Sequence, residues 1–458
     1  MLTQTSSNAV GNVPDMYCNF TYDMISASMK EAFSNLRSTK HNYEGANFFS
    51  FLDEDYDELV DNEGYMYDYM CSTTLNPDKI YILASDYFTD LIRAFFVVPV
   101  NKALLESVGM QVTGDKDLDG KFTIKDFYAE VTEKKWNYTK VAEYSEKIYQ
   151  SGPDNVAEES INDVLGFAIS ANGLAASGLL YSNELNIINK TQDNDGSYLY
   201  TYSVESQKLV TLFNNAKTLV ESRGVYVAAN SEELKLHGPN HLSAIRKRFC
   251  ESKVLFGDVV MLGVLDLEEY QRLKDGDGFG IVPVPMNNTE NYLTAIHNVG
   301  RSGAISANTA KFAECTAFLN YQSTHSDDIL HEYYEYYFQY SVADGSVYTL
   351  QMLEFIRSNI RSTFDKNFED ILIPRLNDVV GVPAVSWHGY LSAYRYAHGA
   401  AIEATYASLR DIKHYEIQNI ARDYEKIAVV NISFIISGSR SKAAALFYFE
   451  VTLAFCNR

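Results

Sequence analysis

The chain has 458 residues, enough to bury one or two substantial cores, and its 46% apolar and 21% charged content excludes wholesale disorder. Sixty acidic against 38 basic residues leave a net charge of −22, which excludes a nucleic-acid binder, since phosphate neutralisation needs a basic face. Thirty-four Tyr and 25 Phe stand beside two Trp; most fill core and surface, but flat amphipathic rings are also what stacks on a pyranose.

In chain order, a short apolar strand near Met16 gives way to a helical pattern over Tyr22–Phe33. Phe51 to Asp68 is acidic and Tyr-rich and reads as a solvated face. Ile80–Ala84 is strand-like and is followed by Ser85-Asp86-Tyr87. A second apolar run, Ala94–Pro99, leads into Val100–Met110, a helix with Gly109 near its end. Asp126–Val131 and Trp136–Tyr144 follow as helical pieces, an order that reads as α/β units. Ile161–Gly166 looks like a strand edge, Ala168–Leu180 a small-residue helix, Gln192–Ser197 a turn between short strands, and Val204–Val220 an amphipathic helix. Ile373–Glu425 reads as helical pieces punctuated by Pro374, Pro383 and Gly389, and Ala428–Arg458 as a strand-like run with a short apolar helix.

No segment has the length of a membrane-spanning helix; Ile427–Ile436 is short and interrupted by Asn431 and Ser433. The polar start Leu2–Asn8 has no basic region and apolar core of a secretory signal. Five dispersed cysteines (Cys18, Cys71, Cys250, Cys315 and Cys456) fit neither a disulfide framework nor a zinc site.

One local motif is sharp. Asp115-Lys-Asp-Leu-Asp-Gly-Lys-Phe-Thr-Ile-Lys-Asp126 has the spacing of a twelve-residue calcium loop. Asp115, Asp117, Asp119, the Lys121 carbonyl and Asp126 would be its oxygen ligands, and Gly120 would allow the sharp turn. The alternative is an acidic turn before a helix capped by Thr123. Nucleophilic catalysis finds no G-x-S-x-G, H-E-x-x-H or Gly-rich phosphate loop; Gly276-Asp-Gly-Phe-Gly280 precedes a strand and is a turn. No cofactor is required by any motif.

Four phrases in order resemble one family. Asn101-Lys-Ala-Leu-Leu-Glu-Ser-Val-Gly109 with Trp136-Asn-Tyr-Thr-Lys-Val141, Phe256-Gly-Asp-Val-Val-Met-Leu262, Phe279-Gly-Ile-Val-Pro-Val-Pro285, and Gly303-Ala-Ile-Ser-Ala-Asn-Thr309 with the following Ala310–Tyr321 are similar to phrases of family 1 extracellular solute-binding proteins, the carbohydrate-binding components of ABC importers. The resemblance implies an α/β, two-lobed, type 2 periplasmic-binding-protein-like fold with an inter-lobe cleft. Residues 1–98 and 292–325 would form lobe 1, 99–291 and 326–425 lobe 2, and 426–458 stays unassigned. It implies a protein that binds a carbohydrate and delivers it to an ABC transporter permease by hinge closure, as an extracellular or cell-surface monomer, often a lipoprotein, and not an enzyme. Asp86, Tyr87, Trp136, Asp258 and Asn298 match its phrases near the cleft; Trp387, beyond the match, would add a stacking ring. In this family a strand, a helix and a strand precede the segment equivalent to Pro14–Cys18; here residues 1–13 precede it. Either the chain is a fragment, the favoured reading, or a degraded relative. The rivals are a glycan-acting hydrolase, which would need two close carboxylates in the cleft, and a calcium-dependent adhesion module.

Overall fold

The computed structural model describes residues 14–372, apart from 31, 37–65, 76–78, 86–87, 113–119, 154–159, 171–172, 193–197, 203–206, 229–240, 268–269, 271–272, 274–277, 288–290, 339–345 and 361–363. Strand β1 (Met16–Phe20) runs directly into helix α1 (Thr21–Ser28), and α2 (Tyr67–Ser72) and the short α3 (Thr89–Arg93) precede β2 (Phe96–Asn101). Then come α4 (Lys102–Val112), α5 (Ile124–Thr132), α6 (Tyr138–Ile148), β3 (Leu165–Ser170) and α7 (Gly173–Tyr181). The hairpin of β4 (Ile188–Gln192) and β5 (Tyr198–Tyr202) leads to α8 (Gln207–Val220), β6 (Val225–Ala228), α9 (His241–Cys250), β7 (Val254–Phe256), β8 (Val260–Met261) and β9 (Phe279–Pro283). The chain continues through β10 (Arg301–Ile305), α10 (Phe312–Thr324), α11 (Ser326–Glu332), α12 (Val347–Ser358) and α13 (Phe364–Leu372).

Side-chain caps set several helix starts. Asn101 Oδ1 accepts from Leu104 N at 3.1 Å, where β2 gives way to α4, and Asn137 Oδ1 accepts from Lys140 N at 3.0 Å at the start of α6. The helix expected from Ala168 begins at Gly173 instead, because Ala168–Ser170 pair with Tyr226–Ala228 as part of a fully buried parallel strand. A run of small residues fits either state, and the sheet decides.

The fold is α/β, with two sheet-centred units. In the smaller, β1 and β10 pair antiparallel from Met16↔Ile305 to Phe20↔Arg301. The Ile80–Ala84 run lies on the other side of β10, joined by a bridge at Leu83↔Gly303. A Cβ on Gly303 would sit 2.8 Å from the tip of the Phe88 ring, so a larger residue there would require that ring to shift. The larger unit holds β6-β3-β7-β2 with β8 and β9 also on β2; β3 is parallel to β6 and β7, while β2 is antiparallel to β7, β8 and β9. Between β7 and β8 the strand is interrupted at Gly257–Val259. Pro99 lies opposite: its carbonyl accepts from Gly257 N at 2.9 Å, and proline has no N–H to return. Phe127, Trp136, Tyr144 and Phe256 form this unit's aromatic core, with Trp136 and Phe256 centroids 4.7 Å apart.

Backbone segments lie side by side where the chain passes between the units. Phe96 N donates to Ala295 O at 3.1 Å and His297 N to Ala94 O at 2.9 Å; Thr294 N donates to Asn359 O at 2.8 Å. Helix α12 packs on α5 and β9 of the larger unit, whereas α13 returns to α1 of the smaller one.

Candidate functional site

Strand register fixes which edges flank the crossing. β10 begins at Arg301, just after the crossing segment, and Arg301 is paired with Phe20, so the carboxyl end of β1 lies on the crossing side. β2 begins at Phe96, just after its own crossing, and runs antiparallel to β7, whose parallel neighbour is β3. The carboxyl ends of β7 and β3 therefore also lie on the crossing side. In open α/β sheets this is the edge where ligands bind.

On the smaller unit that edge carries an aromatic pair. The rings of Phe20 and Tyr22 stack with centroids 5.7 Å apart and planes 10° from parallel, and each residue is 36% exposed. Exposed coplanar rings are costly to leave in water and suit a partner with its own flat apolar face. Arg301 places its guanidinium 5.7 Å from the Phe20 ring centroid. Tyr22 is anchored by its backbone N–H, which donates to Asn298 O at 3.0 Å.

On the larger unit, Asp258 sits in the interruption between β7 and β8. Its Oδ1 accepts from Ser170 N at 3.0 Å and its Oδ2 from the Ser170 hydroxyl at 2.7 Å. Asp258 is 3% exposed, so this carboxylate is a strut holding the end of β3. Expected at the cleft as a contact for sugar hydroxyls, Asp258 is followed by β8 and a 3-10 turn over Leu262–Asp266.

Helix α13 closes the crossing side with three consecutive buried polar residues. Asp365 accepts from the backbone N–H of Ile187 and, at 3.1 Å, of Ile188, beside β4. The Lys366 carbonyl accepts from Asn298 Nδ2 at 3.3 Å, and Lys366 Nζ lies 5.8 Å from the Tyr181 ring centroid. Asn367 Nδ2 donates to Ser72 Oγ on α2 at 2.8 Å. His297 lies at the crossing against Phe96, their centroids 5.7 Å apart. Burial first, and the Lys366 cation second, push its imidazole down to about 2.

The expected site residues thus separate. Asn298 lies at the crossing, but its amide is buried and turned to α13. Trp136, for which a packing role was as open as a ligand contact, is fully buried in the aromatic core, and its indole N–H donates to Pro283 O at 2.8 Å. Asp86, Tyr87 and Trp387 lie outside the described residues, as do Asp115, Asp117 and Asp119. Of the remaining expected calcium ligands, Lys121 is exposed and Asp126 is buried. Asp126 Oδ2 accepts from Thr123 N at 2.8 Å and from Thr123 Oγ1 at 3.0 Å, a reciprocal cap on α5. Among the described residues no group of three or more His, Cys, Asp or Glu is placed to hold a metal. Sequence reading passed over Phe20, Tyr22, Arg301 and the Asp365–Asn367 triad. The one local signal was an aromatic pair two residues apart where strand gives way to helix.

No family model matches the chain, and no curated protein matches its sequence. Solved structures give extensive but loose superpositions. An ABC transporter solute binding protein from Agrobacterium radiobacter K84 in complex with ribitol is 12% identical, with a TM-score of 0.43 over 89% of this chain and 88% of that one. RafE from Streptococcus pneumoniae is 11% identical with a TM-score of 0.44, covering 87% and 85%. MalX from Streptococcus pneumoniae in complex with maltopentaose is 13% identical with a TM-score of 0.41, covering 89% of both chains. At such scores the likeness carries no argument about the site.

Proposed function

We propose that this protein binds a carbohydrate-class solute between its two units and hands it on, chemically unchanged, to an ABC transporter permease at the cell surface. The observation that carries the reading is the exposed, near-parallel Phe20–Tyr22 pair at the carboxyl end of β1, on the same side as the carboxyl ends of β3 and β7. A pyranose offers an apolar face to such rings and hydroxyls to the polar edge around them. The ordered resemblance of four sequence phrases to carbohydrate-binding importer components supports the same reading. Binding needs no proton transfer, and the buried Asp258 acts as a strut within the sheet edge.

The test is titration calorimetry against neutral mono- and oligosaccharides, with Phe20→Ala and Tyr22→Ala beside the unaltered chain. Binding by the unaltered chain and a loss of about fivefold or more in either variant is expected, since ring stacking contributes on the order of 1 kcal/mol. A folded chain that binds no saccharide would overturn the reading. A structural calcium ion in the Asp115–Asp126 loop is a separate proposal, favoured by Gly120 at φ +87°, the left-handed turn such a loop requires. A melting temperature that rises with calcium and returns with chelator is its expected signature, and an unchanged melt sinks it.

A further inference from the structure

We infer that Arg301 is a positioning residue for the aromatic platform, holding the Phe20 ring in its ligand-accepting orientation; the inference rests on the carbohydrate reading of that platform. Arg301 stands opposite Phe20 in the β1–β10 register, and its guanidinium carbon lies 5.7 Å from the Phe20 centroid. The guanidinium is itself held. Arg301 Nη1 is 3.4 Å from Asp90 Oδ2, and Asp90 Oδ1 is 4.0 Å from Arg93 Nη1. Arg93 in turn pairs with Asp266 of the larger unit at 2.6 Å. A chain of alternating charges therefore runs from the 3-10 turn of the larger unit, through α3, to the ring platform of the smaller one.

The geometry suits arginine and not lysine. A planar guanidinium lays a face on an aromatic ring while its edge N–H groups bond a carboxylate, whereas an ammonium offers a point charge. Such a ring at a strand's end would otherwise sample several χ1 wells in water. Fixing it beforehand removes an ordering cost that the ligand would meet on binding. Individually, pairs this exposed contribute little to folding, with side chains 41% and 36% exposed at Arg301 and Asp90. The residue is therefore expected to act on affinity and to leave stability nearly unchanged.

The experiment measures binding of raffinose and maltopentaose to the unaltered chain and to the Arg301→Ala, Arg301→Lys, Phe20→Ala and Arg301→Ala/Phe20→Ala proteins, with a thermal melt of each. Arg301→Ala is expected to weaken binding by about two- to fivefold, the size of an exposed cation–ring contact. Arg301→Lys recovers part of that loss, the double variant binds no more weakly than Phe20→Ala alone, and the melts stay within a degree or two. Raising salt to about 1 M, where the screening length falls to roughly 3 Å, narrows the gap between the unaltered chain and Arg301→Ala. Binding by Arg301→Ala equal to that of the unaltered chain overturns the inference and leaves the platform standing. So does an additive loss in the double variant. If neither saccharide binds the unaltered, folded chain, the platform reading falls for these saccharides and the inference with it, a result distinguishable from the first two because Phe20→Ala then also changes nothing.

Discussion

At Trp136 a fully buried indole packs edge-on to Phe127 and donates its N–H to Pro283 O. Trp136→Phe removes that hydrogen bond and leaves a partly empty site in the core, so it should lower stability by about 1–3 kcal/mol while saccharide affinity stays unchanged; denaturant unfolding beside calorimetry separates the two. Gly166 is a more severe case. A Cβ there would lie 1.9 Å from Ser145 Cα, a backbone atom of α6, so Gly166→Ala should cost on the order of 3 kcal/mol or abolish folding. His297 gives a pH test. Its folded pKa is pushed from 6.5 down to about 2, so the fold holds it neutral while the unfolded chain takes up a proton below pH 6.5. Its contribution is fully present above pH 6.5 and is lost as pH falls toward the folded value, by at most about 1.4 kcal/mol per pH unit. Denaturation at pH 7.5 and 4.5 should therefore show the unaltered chain losing more stability than His297→Gln; equal losses would refute the assignment. Sequence made Trp136 conspicuous through a matching phrase, but a phrase carries no burial. Phe20 and Tyr22 were inconspicuous among so many rings, because exposure and coplanarity are properties of the fold.

Among the elements, α13 ties parts that lie far apart in the chain. Asp365 accepts from two backbone N–H groups beside β4, and Asn367 donates to Ser72 of α2, so the helix is bonded to segments on both sides of the crossing. Asp365→Ala would strand both N–H groups in a buried setting, at about 1–3 kcal/mol each. The expected outcome is a drop in melting temperature together with faster amide exchange at Ile187 and Ile188, read by hydrogen-exchange mass spectrometry. Protection that survives the substitution would mean the helix is anchored by its apolar side alone. The order of elements was legible where a side chain announces a boundary: Asn101 and Asn137 cap α4 and α6, and the alternation of strand and helix around them gives the α/β character. The triad Asp365-Lys366-Asn367 carried no signal in the sequence, because three adjacent polar residues look like surface until their partners are known. The break between β7 and β8 was equally silent, since it answers Pro99 on a neighbouring strand.

For the whole molecule, the decisive geometry is non-local. The pairing of Phe20 with Arg301 brings together two ends of the sequence stretch that encloses the entire larger sheet, and no local pattern reports it. The apolar run Ala94–Pro99 carries the chain from the crossing into the larger sheet. The bonds among Ala94–Phe96, Thr294–His297 and Asn359 make that passage a narrow set of backbone segments. Units joined by few backbone segments can change their angle, with the α13 bonds and the Arg93–Asp266 pair as the contacts that must shift, whereas their packed interiors cannot deform. A solute that touches both edges favours the closed arrangement by its differential affinity, and one that touches a single edge shifts nothing. Small-angle X-ray scattering on the full chain should therefore show a smaller radius of gyration at saturating oligosaccharide than without it. Phe20→Ala, which removes one of the two rings on its edge and leaves Tyr22, should bind more weakly and require proportionally more ligand to reach the same compaction. Tight binding with an unchanged radius would mean that the ligand rests on the smaller unit alone, and hinge closure would have no part in its capture.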